Sequence, residues 1–161
     1  MAKMTVTGLE DFSSMIRALG DKGTDVAKAA VYAGAGVLAE AVKAEISALP
    51  VEEGFLPPGD LHNVITASDK EDLLRGVGIS HMEDAGGKVT AAVGVNGYSS
   101  TATKKYPSGV PLPLIARSIE SGSSVRRKNP FMRRAGNAAK ARAQQAMTEA
   151  AMAKINELTG G

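Results

Sequence analysis

Two long alanine-rich segments, one in the first third of the chain and one at its end, carry apolar residues at helical spacing. The first follows Thr24, a suitable N-cap, and runs to Leu49 with a mean step of about 3.6 residues. The second opens at Asn129 and Pro130, which suit the N-cap and the first helical position, and ends at the final Thr-Gly-Gly. The expected buried stripes are Val31, Ala35, Leu38, Val42, Ile46 and Leu49 in the first helix and Met132, Ala135, Ala139, Ala143, Met147, Ala151, Ile155 and Leu158 in the second.

Small side chains dominate both stripes, and this limits how the helices can pack. Hydrophobic stabilisation scales with the apolar area removed from water, so alanine-rich helices must approach each other closely. Gly34 and Gly36 each disfavour a helix interior by ~1 kcal/mol relative to alanine, and we expect them at a close helix contact. With no Trp, three Tyr and three Phe in the chain, contact with neighbouring copies is one source of further burial.

Short apolar runs between the two helices predict a small antiparallel sheet. Leu73, Val77 and Ile79 form one run at strand spacing, and the turn Glu83–Gly87 separates it from a second. The second run consists of Val89, Ala91, Val93 and Val95. The remaining pattern predicts a strand at Met4–Thr7 and short helices at Leu9–Leu19 and Leu114–Glu120.

The expected fold class is α+β: two long helices and a short helix packed on a small antiparallel sheet that contains a β-hairpin. The length of 161 residues predicts a single domain over 1–161. Mobile loops are expected near 50–70, which contains Leu-Pro-Pro-Gly, and near 98–113, which contains three prolines.

The residues that carry most enzyme chemistry are scarce. The chain has no cysteine, and its two histidines, His62 and His81, show no metal-ligand spacing. No phosphate-binding glycine loop and no Ser-His-Asp arrangement stands out. We therefore expect no catalytic site, no metal and no cofactor. The amino-terminal stretch lacks the apolar region of a signal peptide, and no apolar run approaches the ~18 residues of a membrane span, so we expect a soluble intracellular protein without membrane contact.

Charge is divided unevenly along the chain. Residues 1–103 hold 8 Lys and Arg against 14 Asp and Glu, a balance of −6, whereas 104–161 hold 11 against 3, a balance of +8. Within the basic part, five cations flank the apolar residues Pro130, Phe131 and Met132: Arg126, Arg127, Lys128, Arg133 and Arg134. Such a segment indicates a nucleic-acid contact, a docking edge for another protein, or the charged rim of a helix start. In each case Phe131, in the first helical turn, is expected to be buried against Ile115 or Ile119.

The same region resembles a family pattern. Ile115–Ser124 (IARSIESGSS), a short basic loop and Asn129–Ala135 (NPFMRRA) are similar to a short helix ending in Glu-x-Gly, a variable basic loop and a Pro-Phe helix start. This pattern occurs in the tail-completion (neck) proteins of long-tailed phages. Its structural motif residues are Glu120, Gly122, Asn129, Pro130 and Phe131 in this chain. Met4–Phe12 and Glu71–Tyr98 resemble the first strand and the hairpin of that family, whereas Ser123 stands where the family often has Thr.

The resemblance implies a structural virion protein at the head–tail joint, which helps to complete the tail or to join it to the head and is not an enzyme. The implied partners are other neck and tail proteins, namely the tail terminator and the head-closure protein. It implies a homo-oligomeric ring, for which the family suggests six copies, located in the virion and, during assembly, in the host cytoplasm. Candidate residues for partner binding, or for non-specific contact with DNA in the channel, are Arg126, Arg127, Lys128, Arg133 and Arg134. The opposed charges of the two halves suit heterologous contacts between copies.

The main alternative is a small basic protein that binds DNA without sequence specificity. The cations suit phosphate contacts. However, Phe131 is the only aromatic residue among them, which leaves no stacking platform, and no DNA-reading motif accompanies the segment. A generic helical interaction module of prophage origin is a further alternative.

Overall fold

An antiparallel pair of long helices forms the frame of the computed structural model, which describes residues 19–52, 64–86 and 88–160. Helix α1 (Gly23–Ser47) follows a 3-10 turn (Gly20–Lys22), and the last helix spans Phe131–Thr159. The two helices run in opposite directions, because Gly34 lies against Met147 while Glu45 pairs with Arg134. At 1.5 Å per residue they are about 38 and 44 Å long.

The elements between the long helices are short. They are α2 (Ala67–Gly76), β1 (Val77–Ile79), β2 (Glu83–Ala85), β3 (Lys88–Thr90), β4 (Val93–Val95) and α3 (Leu112–Ser121), so that the last long helix is α4. Strands β1 and β4 pair antiparallel with Gly78 opposite Gly94, and β2 pairs with β3 in a separate two-stranded sheet. The expected α+β class is thereby confirmed, with helices dominating.

The core lies where the carboxyl-terminal half of α1 meets the first turns of α4, with α2, α3 and the β1–β4 sheet packed around them. Phe131, Ile46 and Leu73 are fully buried at its centre. Ile115 and Ile119 belong to the same cluster, which confirms the expected burial of Phe131. The predicted stripes supply much of the rest: Ala35, Val42, Ile46, Leu49, Ala135, Ala139 and Ala143 are all buried.

The two glycines of α1 have different surroundings. A β-carbon added to Gly34 would lie 2.6 Å from Cγ and 2.8 Å from Sδ of Met147, so the expected close helix contact is confirmed there. A β-carbon on Gly36 would meet nothing within 4 Å. The expectation of close packing is therefore wrong for Gly36, which faces open space instead.

Two assignments made from the sequence are wrong: the N-cap of α1 and the placement of Leu73 in a strand. Helix α1 begins at Gly23, directly after the 3-10 turn, so Thr24 lies in the first turn and is not the N-cap. Leu73 belongs to α2 and not to a strand, because the Thr66 hydroxyl accepts a 3.0 Å hydrogen bond from the Asp69 N–H and starts a helix in a polar stretch.

The predicted hairpin is present in a modified form. Val77 and Ile79 do pair with Val95 and Val93, as their spacing indicated. The expected turn Glu83–Gly87 is largely strand, since Glu83–Ala85 pairs with Lys88–Thr90, and only Gly86 is a described turn residue. The predicted strand Met4–Thr7 and the predicted helix Leu9–Leu19, apart from Leu19 itself, lie outside the described residues, as do 53–63 of the expected loop near 50–70.

Candidate interaction surface

Glu120 joins the end of α3 to the start of α4. One carboxylate oxygen accepts a 2.8 Å hydrogen bond from the backbone N–H of Met132, and the other accepts a 3.3 Å bond from the N–H of Arg133. The first N–H groups of a helix have no partner within it, and the helix dipole favours a negative charge at that end. Glu120 thus caps α4 from a neighbouring helix.

Gly122 allows the chain to leave α3 at a sharp angle. Its φ of +80° is in the range that residues with a β-carbon rarely adopt, and a β-carbon there would lie 3.1 Å from the backbone N of Lys128. The backbone N–H of Asn129 returns to the carbonyl of Ile119 at 2.7 Å, which satisfies an acceptor near the end of α3. We call this interlocked unit, Ile119–Gly122 with Lys128–Arg133, the α3–α4 clasp.

Two predicted roles within the clasp require correction. Asn129 does not cap α4, because its side-chain oxygen accepts a 2.8 Å bond from Arg134. Pro130 is not the first helical residue. Its φ of −77° and ψ of 65°, with the 2.8 Å bond from Phe131 N–H to Asn129 C=O, form an inverse γ-turn immediately before the helix. The chain therefore enters α4 through this turn, and Glu120 supplies the cap expected from Asn129.

The five basic residues that the sequence analysis named as candidate contacts lie in different environments. Arg126 is half-buried and donates a 3.0 Å bond from Nη1 to the carbonyl of Val64. Burial lowers the pKa of Arg126, and the charge of Asp69 acts in the opposite direction. Its guanidinium therefore fastens the loop after α3 to the segment before α2, a role that differs from the expected exposed contact.

Arg134 is also engaged within the chain. Its guanidinium pairs with Glu45 of α1 at 2.9 Å and with Asn129 at 2.8 Å, which ties the start of α4 to the end of α1. Arg127, Lys128 and Arg133 are exposed. Lys128 and Arg133 therefore lie on the outer surface of the clasp, and Val125 of the intervening loop is exposed as well.

The basic character extends well beyond these residues. Between positions 85 and 148 the chain has eleven Lys and Arg and one acidic residue, Glu120. The Glu120 carboxylate is bonded to the start of α4, so this stretch of sequence contains little negative charge of its own to offset its cations. Ten of the eleven cations are exposed, the exception being Arg126.

Asp72 was not singled out by the sequence pattern. The residue is 1% exposed. One carboxylate oxygen accepts bonds from the Ser100 N–H at 2.6 Å and the Ser100 hydroxyl at 2.8 Å, while Arg75 pairs with the other. Burial raises the pKa of Asp72, but the bonds from Ser100 and the charge of Arg75 outweigh it, so the net pKa lies below its usual range. The adjacent Glu71 is exposed, and only the fold distinguishes the two acids.

Asp72 holds the first part of the 98–113 loop against α2. The same loop is closed at its base by the backbone bond from Ser99 N–H to Val110 C=O and by the pairing of Tyr98 with Pro111. Gly109 has a φ of +99°, and a β-carbon there would lie 2.0 Å from the Ser99 carbonyl oxygen. This loop therefore has internal bonds that fix its base, while its exposed tip carries Lys104 and Lys105.

Within 19–52, 64–86 and 88–160 there is no cluster of His, Asp and Glu that could hold a metal ion. None of the helices in those ranges is long and apolar enough to cross a membrane. His81 is exposed after β1, and His62 lies outside the described residues.

Comparison of the chain with family models, with curated proteins and with solved structures gives no match.

Proposed function

We propose that the chain is a structural virion protein at the head–tail joint of a long-tailed phage, where it helps to complete the tail or to join it to the head as part of a ring. The α3–α4 clasp is the observation that carries the proposal. Glu120, Gly122 and Phe131, which support the family resemblance in sequence, have interdependent roles: a cap, a chain reversal and a core anchor. A motif whose residues act together gives the resemblance a physical basis.

The charge distribution also supports an assembly role. Cations dominate positions 85–148, whereas the described residues 19–52 and 64–84 contain more acidic than basic residues. In a ring of identical copies, heterologous contacts bring one face of a subunit against a different face of the next, and opposed charges favour such contacts. The proposed partners are further copies of the chain, a tail terminator and a head-closure protein. For the chain itself we propose no catalytic activity and no cofactor.

Non-specific DNA binding is the second candidate function, and the excess of exposed cations favours it. The geometry weakens it, because Arg126 donates to the Val64 carbonyl and Arg134 pairs with Glu45, so both guanidinium groups are engaged within the chain. Phe131, the only aromatic residue of the segment, is fully buried and offers no stacking surface. In the proposed joint, DNA contact is secondary to contact between proteins.

The proposal is tested by removing the gene from the phage or prophage that encodes it and inducing particle formation. We expect electron microscopy to show filled heads and separate tails, with few complete virions. Expression of the wild-type chain from a plasmid should restore joined particles, and mass spectrometry should detect the chain in them at a few copies per virion.

Two results would contradict the head–tail role. One is the formation of normal virions without the gene. The other is complete absence of the chain from purified virions, combined with defects only in DNA replication or compaction, which would favour the DNA-binding alternative.

A further inference from the structure

An open pocket of about 460 Å³ lies at the loop that joins α3 to α4. Its walls come from two short stretches of the chain, 121–123 and 126–128, and we call it the clasp pocket. The residues that line it are Ser121, Gly122, Ser123, Arg126, Arg127 and Lys128. Three cations and two hydroxyl groups therefore surround it, and the described lining contains no acidic residue. Guanidinium and ammonium groups only donate hydrogen bonds, so this lining suits an anionic acceptor.

The loop that carries these side chains is held in place by its backbone. The N–H of Ser123 donates to the Arg126 carbonyl at 2.9 Å, and the Arg126 N–H donates to the Ser123 carbonyl at 3.4 Å. The two walls also touch at Gly122, where a β-carbon would lie 3.2 Å from the Arg126 carbonyl oxygen. A site whose donors are ordered before binding loses less conformational entropy when a ligand arrives.

Arg126 is the half-buried cation of the clasp pocket. Among the described residues, the hydrogen-bond acceptor of its guanidinium is the neutral Val64 carbonyl, bound through Nη1, while the charge of Asp69 offsets part of its own. A guanidinium has five N–H donors, so the bond to Val64 holds the group in place and leaves other donors for a ligand in the pocket. A partly buried charge is stabilised by a counter-ion, and an anion in the pocket would supply one.

The arrangement of donors suits a tetrahedral anion better than a planar one. A carboxylate has two oxygens in one plane, which a single guanidinium can occupy. The clasp pocket adds the ammonium of Lys128 and the hydroxyls of Ser121 and Ser123 to the guanidinium of Arg126. The Ser123 oxygen accepts a 3.3 Å bond from the Val125 N–H, and its own proton is still available to a ligand. We propose that the clasp pocket binds a phosphate group, whose oxygens can accept from several of these donors at once.

The residues around the pocket bear on the source of that phosphate. Arg117 is exposed and precedes Ser121 by four positions in α3, so the two side chains lie on the same face of the helix. A nucleic-acid backbone passing over the pocket would therefore meet a further cation, whereas a free phosphorylated molecule needs the pocket alone. The phosphate site holds for either source and does not depend on the proposed head–tail role.

NMR titration of the full chain with inorganic phosphate tests the proposal, with sodium chloride at the same ionic strength as the reference. We expect the amide signals of Gly122, Ser123 and Lys128 to shift and saturate with phosphate and to stay in place with chloride. In Lys128→Glu, a change at an exposed position, the dissociation constant should rise about ten-fold or more. Lys140→Glu makes the same charge change on α4 outside the pocket lining and should stay within about two-fold of the wild type.

A duplex oligonucleotide in place of inorganic phosphate identifies the source. If a backbone phosphate occupies the pocket, Lys128→Glu should weaken duplex binding more than Lys140→Glu does, and inorganic phosphate should compete with the duplex. If the two variants bind the duplex equally and only Lys128→Glu loses inorganic phosphate, the ligand is a free phosphorylated molecule. Amide shifts no larger with phosphate than with chloride would overturn the proposal, as would an equal loss of phosphate binding in both variants.

Discussion

The carboxylate of Glu120, in the last turn of α3, accepts a 2.8 Å hydrogen bond from the backbone N–H of Met132, in the first turn of α4. The two residues are twelve positions apart, and the bond fixes the angle at which the last helix leaves the loop. The same carboxylate accepts from Arg133, so two of the unpaired donors at the helix start are satisfied.

Replacing Glu120 with alanine should destabilise the protein by about 1–2 kcal/mol, the usual cost of removing a helix cap. Glu120→Gln keeps one acceptor oxygen but loses the charge, so we expect a smaller loss. Urea unfolding at neutral pH measures both. Glu71→Ala is the control, since Glu71 is exposed in α2, and it should change the free energy of unfolding by less than about 0.5 kcal/mol. Equal effects of the two alanine variants would contradict the capping role.

Phe131→Ala should cost about 3–5 kcal/mol, because the side chain is fully buried among Ile115, Ile119 and Ile46 and its removal leaves a cavity. Phe131→Leu should cost less, since it retains part of the volume. Thermal unfolding followed by circular dichroism reports the difference. Val125→Ala, at a 63% exposed loop position, serves as the control and should leave the melting temperature nearly unchanged. A melting curve of Phe131→Ala equal to that of the control would show that Phe131 is not a core anchor.

Gly34→Ala should show coupling with Met147. Alanine favours a helix by about 1 kcal/mol over glycine, but the new methyl group would contact the Met147 side chain at 2.6–2.8 Å. We expect little net gain in the wild type and a gain of about 1 kcal/mol in a Met147→Ala background. Gly136→Ala, with open space around it in α4, should be stabilising in both backgrounds. A double-mutant cycle measures the coupling, and strictly additive effects would argue against the close contact.

Asp72→Asn should destabilise the protein at neutral pH by about 1–3 kcal/mol, since the charged oxygens accept bonds from Ser100 and Arg75 in a buried position. The folded pKa of Asp72 lies below its ordinary value of 3.8. Its contribution is therefore complete above that value and is lost as pH falls through the lower, folded pKa. The difference between wild type and variant should be constant from neutral pH to about pH 5 and shrink below about pH 4. Urea titrations at several pH values, with exposed Asp84→Asn as the control, would disprove this if the difference already vanished near pH 6.

Sequence periodicity predicted the long helices because each presents many apolar positions to one core. The same reasoning missed α2, whose start depends on one hydroxyl, that of Thr66, in a polar stretch. It also assigned Glu83–Ala85 to a turn, since acidic and glycine residues are typical of turns, although these residues pair with Lys88–Thr90.

The candidate site shows the same limit. Phe131 could be predicted as buried from its position at the helix start, and the structure confirms it. The residue that caps α4 could not be predicted in this way. The local pattern favours Asn129, whereas the acceptor is the carboxylate of Glu120, in another helix. Which of the cations are exposed also depends on tertiary neighbours: Val64, which accepts from Arg126, is 62 positions away in sequence.

The last prediction separates cations that hold the fold from those available for assembly. Arg126→Gln should lower stability, by about 1–3 kcal/mol, because it removes the half-buried bond to the Val64 carbonyl. Lys128→Glu/Arg133→Glu should leave the melting temperature nearly unchanged, since both side chains are exposed. If the clasp surface contacts a partner in the head–tail joint, this double variant should fail to restore joined particles in the deletion phage, even though it is folded. Lys22→Glu/Lys28→Glu carries the same charge change at the opposite end of α1 and should restore them. Normal joining by the Lys128/Arg133 variant, together with loss of salt-dependent binding to duplex DNA, would favour the DNA-binding alternative over assembly.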